Sequence, residues 1–283
     1  MNKTYISLIL TILGCSFFLF SCHKNQNQTT DLLELDSLCI NETTHLFADT
    51  SKPSCNLVLN YTFIKNSKDS LLRDSINKIF RTNLLGNKYL NASNAEAVET
   101  YANQYAKDYC TKLEPIYLEE AKENNGENDI ESWYSYYCSM KSSVIYCSDN
   151  YLVYQIDYSD YTGGAHGMYA TSFLNIDLTN KKQLTLDDLF QSEYSEILTD
   201  LITNQLIAEN GVTCREELEE LGYGTTGNIS HTENFYLNEE GITFLYNPYD
   251  IAPYSMGETR VTIPYQMLGH ILDETLPIIQ NFN

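Results

Sequence analysis

Histidine and cysteine are the residue types in this chain best suited to metal or nucleophilic chemistry, but their spacing does not support it. The histidines are scattered at His23, His45, His166, His231 and His270. No His-Glu-x-x-His or other close pair offers imidazole ligands to zinc, and no cysteines have C-x-x-C spacing. A nucleophile elbow, a P-loop, a dinucleotide fingerprint and a calcium loop are also absent from the sequence. We therefore predict a non-enzymatic protein with no metal and no cofactor.

Acidic pairs are the remaining candidates for acid and base chemistry. Glu119-Glu120 and Glu219-Glu220 lie in polar helical stretches, where neighbouring carboxylates are more often solvated than catalytic. Thr185-Leu186-Asp187-Asp188 superficially matches the Thr-Phe-Asp-Asp opening of a polysaccharide deacetylase metal site. Leu189-Phe190 follows, however, where that motif needs Gly-Pro. We interpret this segment as a helix capping box.

Two segments combine Gly or Pro with aromatic residues directly after strand-like runs, and we expect each to be a rigid connection at a sheet edge. They are residues 161–167 (YTGGAHG) and 247–254 (NPYDIAPY). The two glycines before His166 let the backbone approach a ligand or another strand closely. The imidazole then either donates to a sugar hydroxyl or partner carbonyl, or is buried and fixes the strand exit. The candidate binding or structural residues are Tyr161, Gly163, Gly164, His166, Asn247, Tyr249, Pro253 and Tyr254.

In this order the two segments resemble the paired domains of unknown function in peptidoglycan deacetylase C proteins and in the lysozyme-sensing anti-sigma factor V proteins of Gram-positive bacteria. The resemblance covers residues 38–283. It implies a folded body that binds a lysozyme-like protein or a cell-wall glycan. The alternative that it implies is an accessory to a separate enzyme that modifies peptidoglycan or polysaccharide. We expect this chain to lack the deacetylase catalytic domain and the signalling segments of the anti-sigma factors.

The N-terminus has the pattern of a bacterial lipoprotein signal. Residues 1–21 contain one charged residue, Lys3, and an apolar stretch, and they end in Leu-Phe-Ser before Cys22. We predict cleavage before Cys22, a diacylglycerol on its thiol, and a flexible tether over residues 22–35. The predicted location is the cell envelope, with the body facing the periplasm or the exterior. A transmembrane anchor is the alternative, but the stretch barely reaches the roughly 20 residues needed to span a bilayer.

The charge of the chain favours a cationic partner. The net charge is −21, and loss of Lys3 with the signal leaves 16 basic against 38 acidic residues, or −22. Such a body repels phosphate backbones, so nucleic acid is excluded as a partner. The alternative is that the charge only keeps a tethered protein soluble.

The cysteines that remain after Cys15 and Cys22 either form up to three disulfides or are buried thiols. They are Cys39, Cys55, Cys110, Cys138, Cys147 and Cys214. Cys138 and Cys147 are nine residues apart in one strand-like region, which would place them on opposite faces, so we do not expect them to pair.

The order of predicted elements indicates an α+β fold, with mostly antiparallel sheets packed by helices. We divide it into two closely associated subdomains, residues 36–150 and 151–283. Strands are predicted at residues 38–47, 55–64, 173–178, 235–237, 242–246 and 259–263, with a hairpin over 131–158. Helices are predicted at residues 72–85, from Asn94 until a kink or end at Pro115, at 197–211 and at 266–276.

Overall fold

A computed structural model describes residues 32–123 and 131–282, which form two β-sheets and their helices. The larger sheet has six strands, adjacent in chain order: β1 (Leu33–His45), β2 (Ser54–Ser67), β3 (Tyr136–Cys147), β4 (Tyr151–Tyr161), β5 (Met168–Asp177) and β6 (Lys182–Leu184). Only the β2–β3 pair is parallel. The smaller sheet is antiparallel and contains β7 (Phe235–Asn238), β8 (Gly241–Tyr246) and β9 (Thr259–Pro264). The predicted α+β class is confirmed.

The α-helices of the described residues lie in three places along the chain. Between β2 and β3 lie α1 (Ser70–Leu85), α2 (Asn94–Glu123) and α3 (Glu131–Tyr134). Between β6 and β7 lie α4 (Leu186–Leu189), α5 (Tyr194–Glu209) and α6 (Arg215–Glu220), and α7 (Tyr265–Leu268) follows β9. Within the described residues, none of these helices is long and apolar enough to cross a membrane.

Local signals set the helix ends largely as predicted. Gly86 adopts φ 105° and ends α1, a backbone conformation that favours glycine. Ser93 and Glu96 form the predicted capping box, because each side chain accepts the backbone N–H of the other, at 3.4 and 3.2 Å. However, α2 continues through Pro115, so the alternative that it ends there is wrong. Pro115 and Thr111 are both exposed; the Thr111 carbonyl that loses its helical partner can therefore be hydrated.

The helix predicted at residues 266–276 is also wrong beyond Leu268, where α7 ends. The backbone that follows pairs with another segment instead of continuing as a helix. Gln191 donates its N–H to the Ile271 carbonyl at 2.8 Å, and Asp273 donates to the Leu189 carbonyl at 2.9 Å. These long-range bonds take the place of intrahelical bonds at Ile271 and Asp273.

Both faces of the larger sheet are covered, and β4 shows this most clearly. Successive side chains of a strand point to opposite faces. Leu152 and Tyr154 lie in the core formed with α1 and α2, whereas Tyr151 and Val153 lie in the core formed with α5 and the smaller sheet. All four side chains are fully buried. The two halves of the molecule therefore share one sheet.

The predicted boundaries can be located in this structure. The division between residues 150 and 151 falls in the turn of the β3–β4 hairpin, inside the larger sheet. The predicted tether, residues 22–35, overlaps β1, because Leu33 is buried and pairs with Ser67. The signal peptide and Cys22 lie outside the described residues.

Four of the cysteines carry free thiols in the described structure: Cys55, Cys110, Cys138 and Cys214. Burial raises the pKa of both Cys55 and Cys138 to about 11. Because the thiolate is the reactive form, these two residues behave as small apolar core side chains at neutral pH.

Candidate functional site

The two segments singled out in the sequence meet at one end of the larger sheet. The first connects β4 to β5, and the second follows β8. Asn247 joins them: its side-chain oxygen accepts the Thr171 N–H at 2.7 Å, and its amide group donates to the Thr171 carbonyl at 3.1 Å. This side chain therefore pairs with the main chain of β5 as a neighbouring strand would.

His166 is an exposed side chain that is held by contacts with the second segment. Its ring stacks on Tyr254, with a centroid separation of 4.1 Å and an interplanar angle of 21°. Its Nδ1 lies 2.9 Å from the Gly167 carbonyl, which can only accept, so Nδ1 carries a proton. In the neutral ring, Nε2 then accepts from the Tyr249 hydroxyl at 3.3 Å. The buried His166 considered from the sequence is not observed.

Tyr249 is positioned by a strained turn. Its φ of 75° lies in the left-handed region that non-glycine residues rarely adopt. The turn is closed by the Asn247 N–H, which donates to Asp250 Oδ2 at 2.7 Å, and by the Tyr249 N–H, which donates to the Ala252 carbonyl at 3.1 Å. The Tyr249 side chain remains 44% exposed. Strain of this kind often marks functional positions, since it must be stabilised by surrounding contacts. After the turn, Pro253 begins the short 3-10 turn that carries Tyr254.

Glycines shape the first segment. Gly163 and Gly164 have φ of 87° and 107°, and the Tyr161 hydroxyl donates to the Gly164 carbonyl at 2.9 Å. A Cβ on Gly163 would lie 3.3 Å from the carbonyl oxygen of Trp133. The loop therefore packs closely against Trp133, whose side chain is 56% exposed. Sequence reasoning missed this contact because Trp133 belongs to a separate element.

Further aromatic residues extend the site. Tyr137 stacks on Tyr161 at 6.4 Å, and Tyr169 meets Tyr254 edge to face at 5.8 Å. A Cβ on Gly167 would lie 2.5 Å from the Asp160 carbonyl oxygen, which requires glycine there, and 2.8 Å from the Tyr137 hydroxyl. We call the resulting set the aromatic surface; its members are Trp133, Tyr137, Tyr161, His166, Tyr169, Tyr249 and Tyr254. Neither Tyr137 nor Tyr169 carries a sequence signal beyond its position in a strand.

A polar cluster lies beside the aromatic surface, centred on Thr171. The Thr171 hydroxyl lies 3.1 Å from Asp157 Oδ1 and 2.8 Å from Glu258 Oε1. Because the hydroxyl has a single proton, it donates to one carboxylate at a time. Gln155 donates to Asp157 at 2.7 Å, and Arg260 pairs with Glu258 at 3.3 Å. In the described part of the chain, no group of three or more His, Cys, Asp or Glu residues is arranged to hold a metal ion. The site offers rings, hydroxyls and carboxylates to a ligand.

Asn234 completes the connection between the two sheets. Its oxygen accepts the Phe173 N–H at 3.0 Å, and its amide group donates to the Thr171 carbonyl at 2.8 Å. Asn175 of β5 donates in the opposite direction, to the Phe235 carbonyl at 2.7 Å. Three asparagine side chains, those of residues 175, 234 and 247, thus hold the second segment and β7 against β5.

Two sequence families match this chain. Residues 49–169 match the family described as "Deacetylase PdaC", and residues 187–266 match the family described as "Protein of unknown function (DUF3298)". The peptidoglycan-N-acetylmuramic acid deacetylase PdaC of Bacillus subtilis (strain 168) is 27% identical over 116 residues. That match covers 40% of this chain and 24% of the relative, so the chain matches about a quarter of the relative's length.

The solved structures that are similar to this chain include two DUF3298 family proteins. A DUF3298 family member from Bacteroides fragilis NCTC 9343 is 49% identical, with a TM-score of 0.84, over 89% of this chain and 97% of its own. A DUF3298 family protein from Pseudomonas aeruginosa PAO1 is 18% identical, with a TM-score of 0.60, over 85% of this chain and 94% of its own. The second likeness concerns the fold alone.

Proposed function

Because this chain belongs to the DUF3298 family and joins a PdaC-type domain to a DUF3298 domain, we propose that it is a cell-envelope binding protein that contacts cell-wall glycan through its aromatic surface. The role is binding without catalysis. The lipobox pattern supports attachment to a lipid bilayer through acylated Cys22.

The observation that carries this proposal is the stacked pair His166–Tyr254 at the meeting point of the two segments. Aromatic rings with a polar atom at one end suit ligands that have both an apolar face and hydroxyl groups, as sugars do. Tyr249 and His166 add a hydroxyl and ring nitrogens beside the stack. Trp133 adds a large exposed indole near the other end of the first segment. The similarity to a deacetylase that acts on peptidoglycan supports the same class of ligand.

Charge favours a second candidate partner, a cationic lysozyme-like protein. The net charge of −21 would accelerate association with a basic protein by electrostatic steering. An accessory role beside a separate peptidoglycan- or polysaccharide-modifying enzyme is compatible with either partner. The two partners differ in their response to salt, which screens charges over a Debye length of about 8 Å at physiological ionic strength.

Calorimetry with peptidoglycan fragments, and surface-plasmon measurements with a lysozyme, at low and physiological salt test the proposal. Glycan affinity should change little with salt, whereas the association rate of a cationic protein should fall steeply. H166A and Y254A should each weaken fragment binding by about tenfold, or about 1.4 kcal/mol.

The matched control is the pair Tyr194 and His231, which also meet ring to ring, at 5.7 Å, but lie on α5 and the segment before β7. Y194A and H231A should leave fragment affinity within about twofold of wild type, because neither residue belongs to the aromatic surface. Loss of a residue that contributes strongly to binding usually costs more than that. Equal losses in both pairs, or no binding of fragments at millimolar concentration, would contradict the glycan proposal. Salt-dependent lysozyme binding in the same preparations would favour the second candidate.

A further inference from the structure

On the face of the larger sheet that α1 and α2 cover, a cavity is lined by more cationic than acidic side chains. It has a volume of about 480 Å³ and lies between α1, the β2 backbone near Ile64, and residues 90–94 at the start of α2. Four cationic residues line it, Lys65, Arg73, Lys78 and Arg81, together with one acidic residue, Asp74. The whole chain has only 17 Lys and Arg against 38 Asp and Glu. The cavity shares no residue with the aromatic surface.

Arg81 is the most informative of these residues, because it is buried without a counter-ion. Its side chain is 5% exposed. Nε donates to the Tyr89 carbonyl at 2.8 Å, Nη2 to the Leu90 carbonyl at 2.9 Å, and Nη1 to Asn94 Oδ1 at 2.7 Å. Each guanidinium nitrogen therefore has an uncharged acceptor, and Tyr61 interacts with the same group, but no carboxylate of the described residues neutralises its charge. A buried charge without an opposite charge is costly, which favours a bound anion.

Lys78 adds a second cation; Asp74, whose pKa is lowered mainly by its hydrogen bond with Arg73, is also within electrostatic range of Lys78. Within the described ranges, neither Lys78 nor Arg81 has a carboxylate within 4.0 Å, whereas the other two cations do. Arg73 pairs with Asp74 at 2.8 Å, and Lys65 pairs with acidic residues of β1. The 30-residue helix α2 also begins at this cavity, and the positive end of its dipole favours negative charge there.

We propose that this cavity binds the oxyanion group of a small molecule, a phosphate or a carboxylate, with Arg81 and Lys78 as its charged contacts. Both groups accept charge-assisted hydrogen bonds and are attracted by the positive charges of Arg81 and Lys78. The volume falls within the range of about 300 to 1,000 Å³ that is typical of small-molecule sites. This site is independent of the glycan proposal, since the two surfaces have no residue in common.

Thermal unfolding of the full chain in sodium phosphate or sodium acetate, at ionic strength held constant with chloride, tests the site. A ligand that binds the folded state raises the melting temperature with concentration. The wild-type protein should be stabilised beyond the chloride control. A larger effect of phosphate indicates a phosphate-bearing ligand, and a larger effect of acetate a carboxylate. The proposal is wrong if neither anion exceeds chloride.

K78E is the decisive variant, and K107E is its control. Both lysines are exposed helical residues, so the substitutions change the net charge equally. K78E should weaken the affinity for the anion that raises the melting temperature, phosphate or acetate, at least about tenfold. A carboxylate at the position of the lysine would repel a bound anion at contact distance. K107E should change it less than about twofold, because exposed charges beyond the Debye length are screened. Equal effects of K78E and K107E would overturn the proposal, since they would indicate general electrostatics.

Discussion

Replacement of Asn247 by alanine should destabilise the whole fold, although Asn247 lies in a connection between strands. The substitution removes both hydrogen bonds to Thr171, which is 7% exposed. The Thr171 carbonyl keeps the amide of Asn234 as a donor at 2.8 Å, but the Thr171 N–H loses its acceptor. An orphaned buried donor costs about 1 to 3 kcal/mol, and the second lost bond about 1 kcal/mol. We therefore expect a loss of about 2 to 4 kcal/mol in the free energy of unfolding.

Urea unfolding followed by circular dichroism would measure this loss, and a thermal scan should show a decrease of about 5 to 10 °C in a chain of this size. Asn66 provides the control, because its amide donates to Glu34 at 2.6 Å on the exposed surface. N66A should change the free energy of unfolding by less than about 0.5 kcal/mol. If N247A is no more destabilising than N66A, water replaces the lost acceptor and the side chain does not hold the sheets together.

Three further predictions concern backbone strain, pH and thiol reactivity. G163V should destabilise the fold by about 1 to 3 kcal/mol in urea unfolding, since valine resists a φ of 87° and its Cβ would crowd the Trp133 carbonyl; an unchanged midpoint would refute the close packing. Burial raises the pKa of Tyr101 to about 12, while the unfolded side chain ionises near pH 10. The contribution of Tyr101 to the free energy of unfolding should thus be fully present below about pH 10 and be lost as the pH rises to 12. A phenolate absorbance that reaches its full value before the protein unfolds would contradict this. Cys55 and Cys138 should resist iodoacetamide at pH 8 until the protein is unfolded, because their thiols are buried and protonated; mass mapping that finds a disulfide or rapid labelling would exclude that state.

Local patterns made much of the fold predictable. The alternation of buried and half-exposed residues in β2 follows the two-residue period of a strand. The capping boxes at Ser93–Glu96 and Thr185–Asp188 are present, the second with Asp188 accepting the Thr185 N–H at 2.9 Å. Such signals involve residues three or four apart, so the sequence displays them directly. Short elements without periodicity, such as β6 and α3, were not predicted.

The candidate site was only partly predictable, because its geometry depends on distant pairs. The sequence identified both segments but not the stacking of His166 on Tyr254, which are far apart along the chain. Asn234 was missed because a side chain that binds the main chain of a distant strand leaves no local pattern. The cationic cavity was missed for the same reason: Lys65, Lys78 and Arg81 come from a strand and a helix, and no charge run marks them.

The asparagine connection also bears on how copies of this protein interact with one another. β6 covers only residues 175–177 of β5, and an uncovered strand is a template for pairing between molecules and for aggregation. Asn234 and Asn247 occupy the N–H and C=O groups of Thr171 and the N–H of Phe173, which an incoming strand would need. At the opposite side of the sheet, β1 carries the charged side chains of Glu34, Asp36 and Glu42, of which the first two pair with Lys65. The sheet therefore ends on one side in satisfied backbone groups and on the other in charged side chains, and both features disfavour pairing between the sheet edges of two copies.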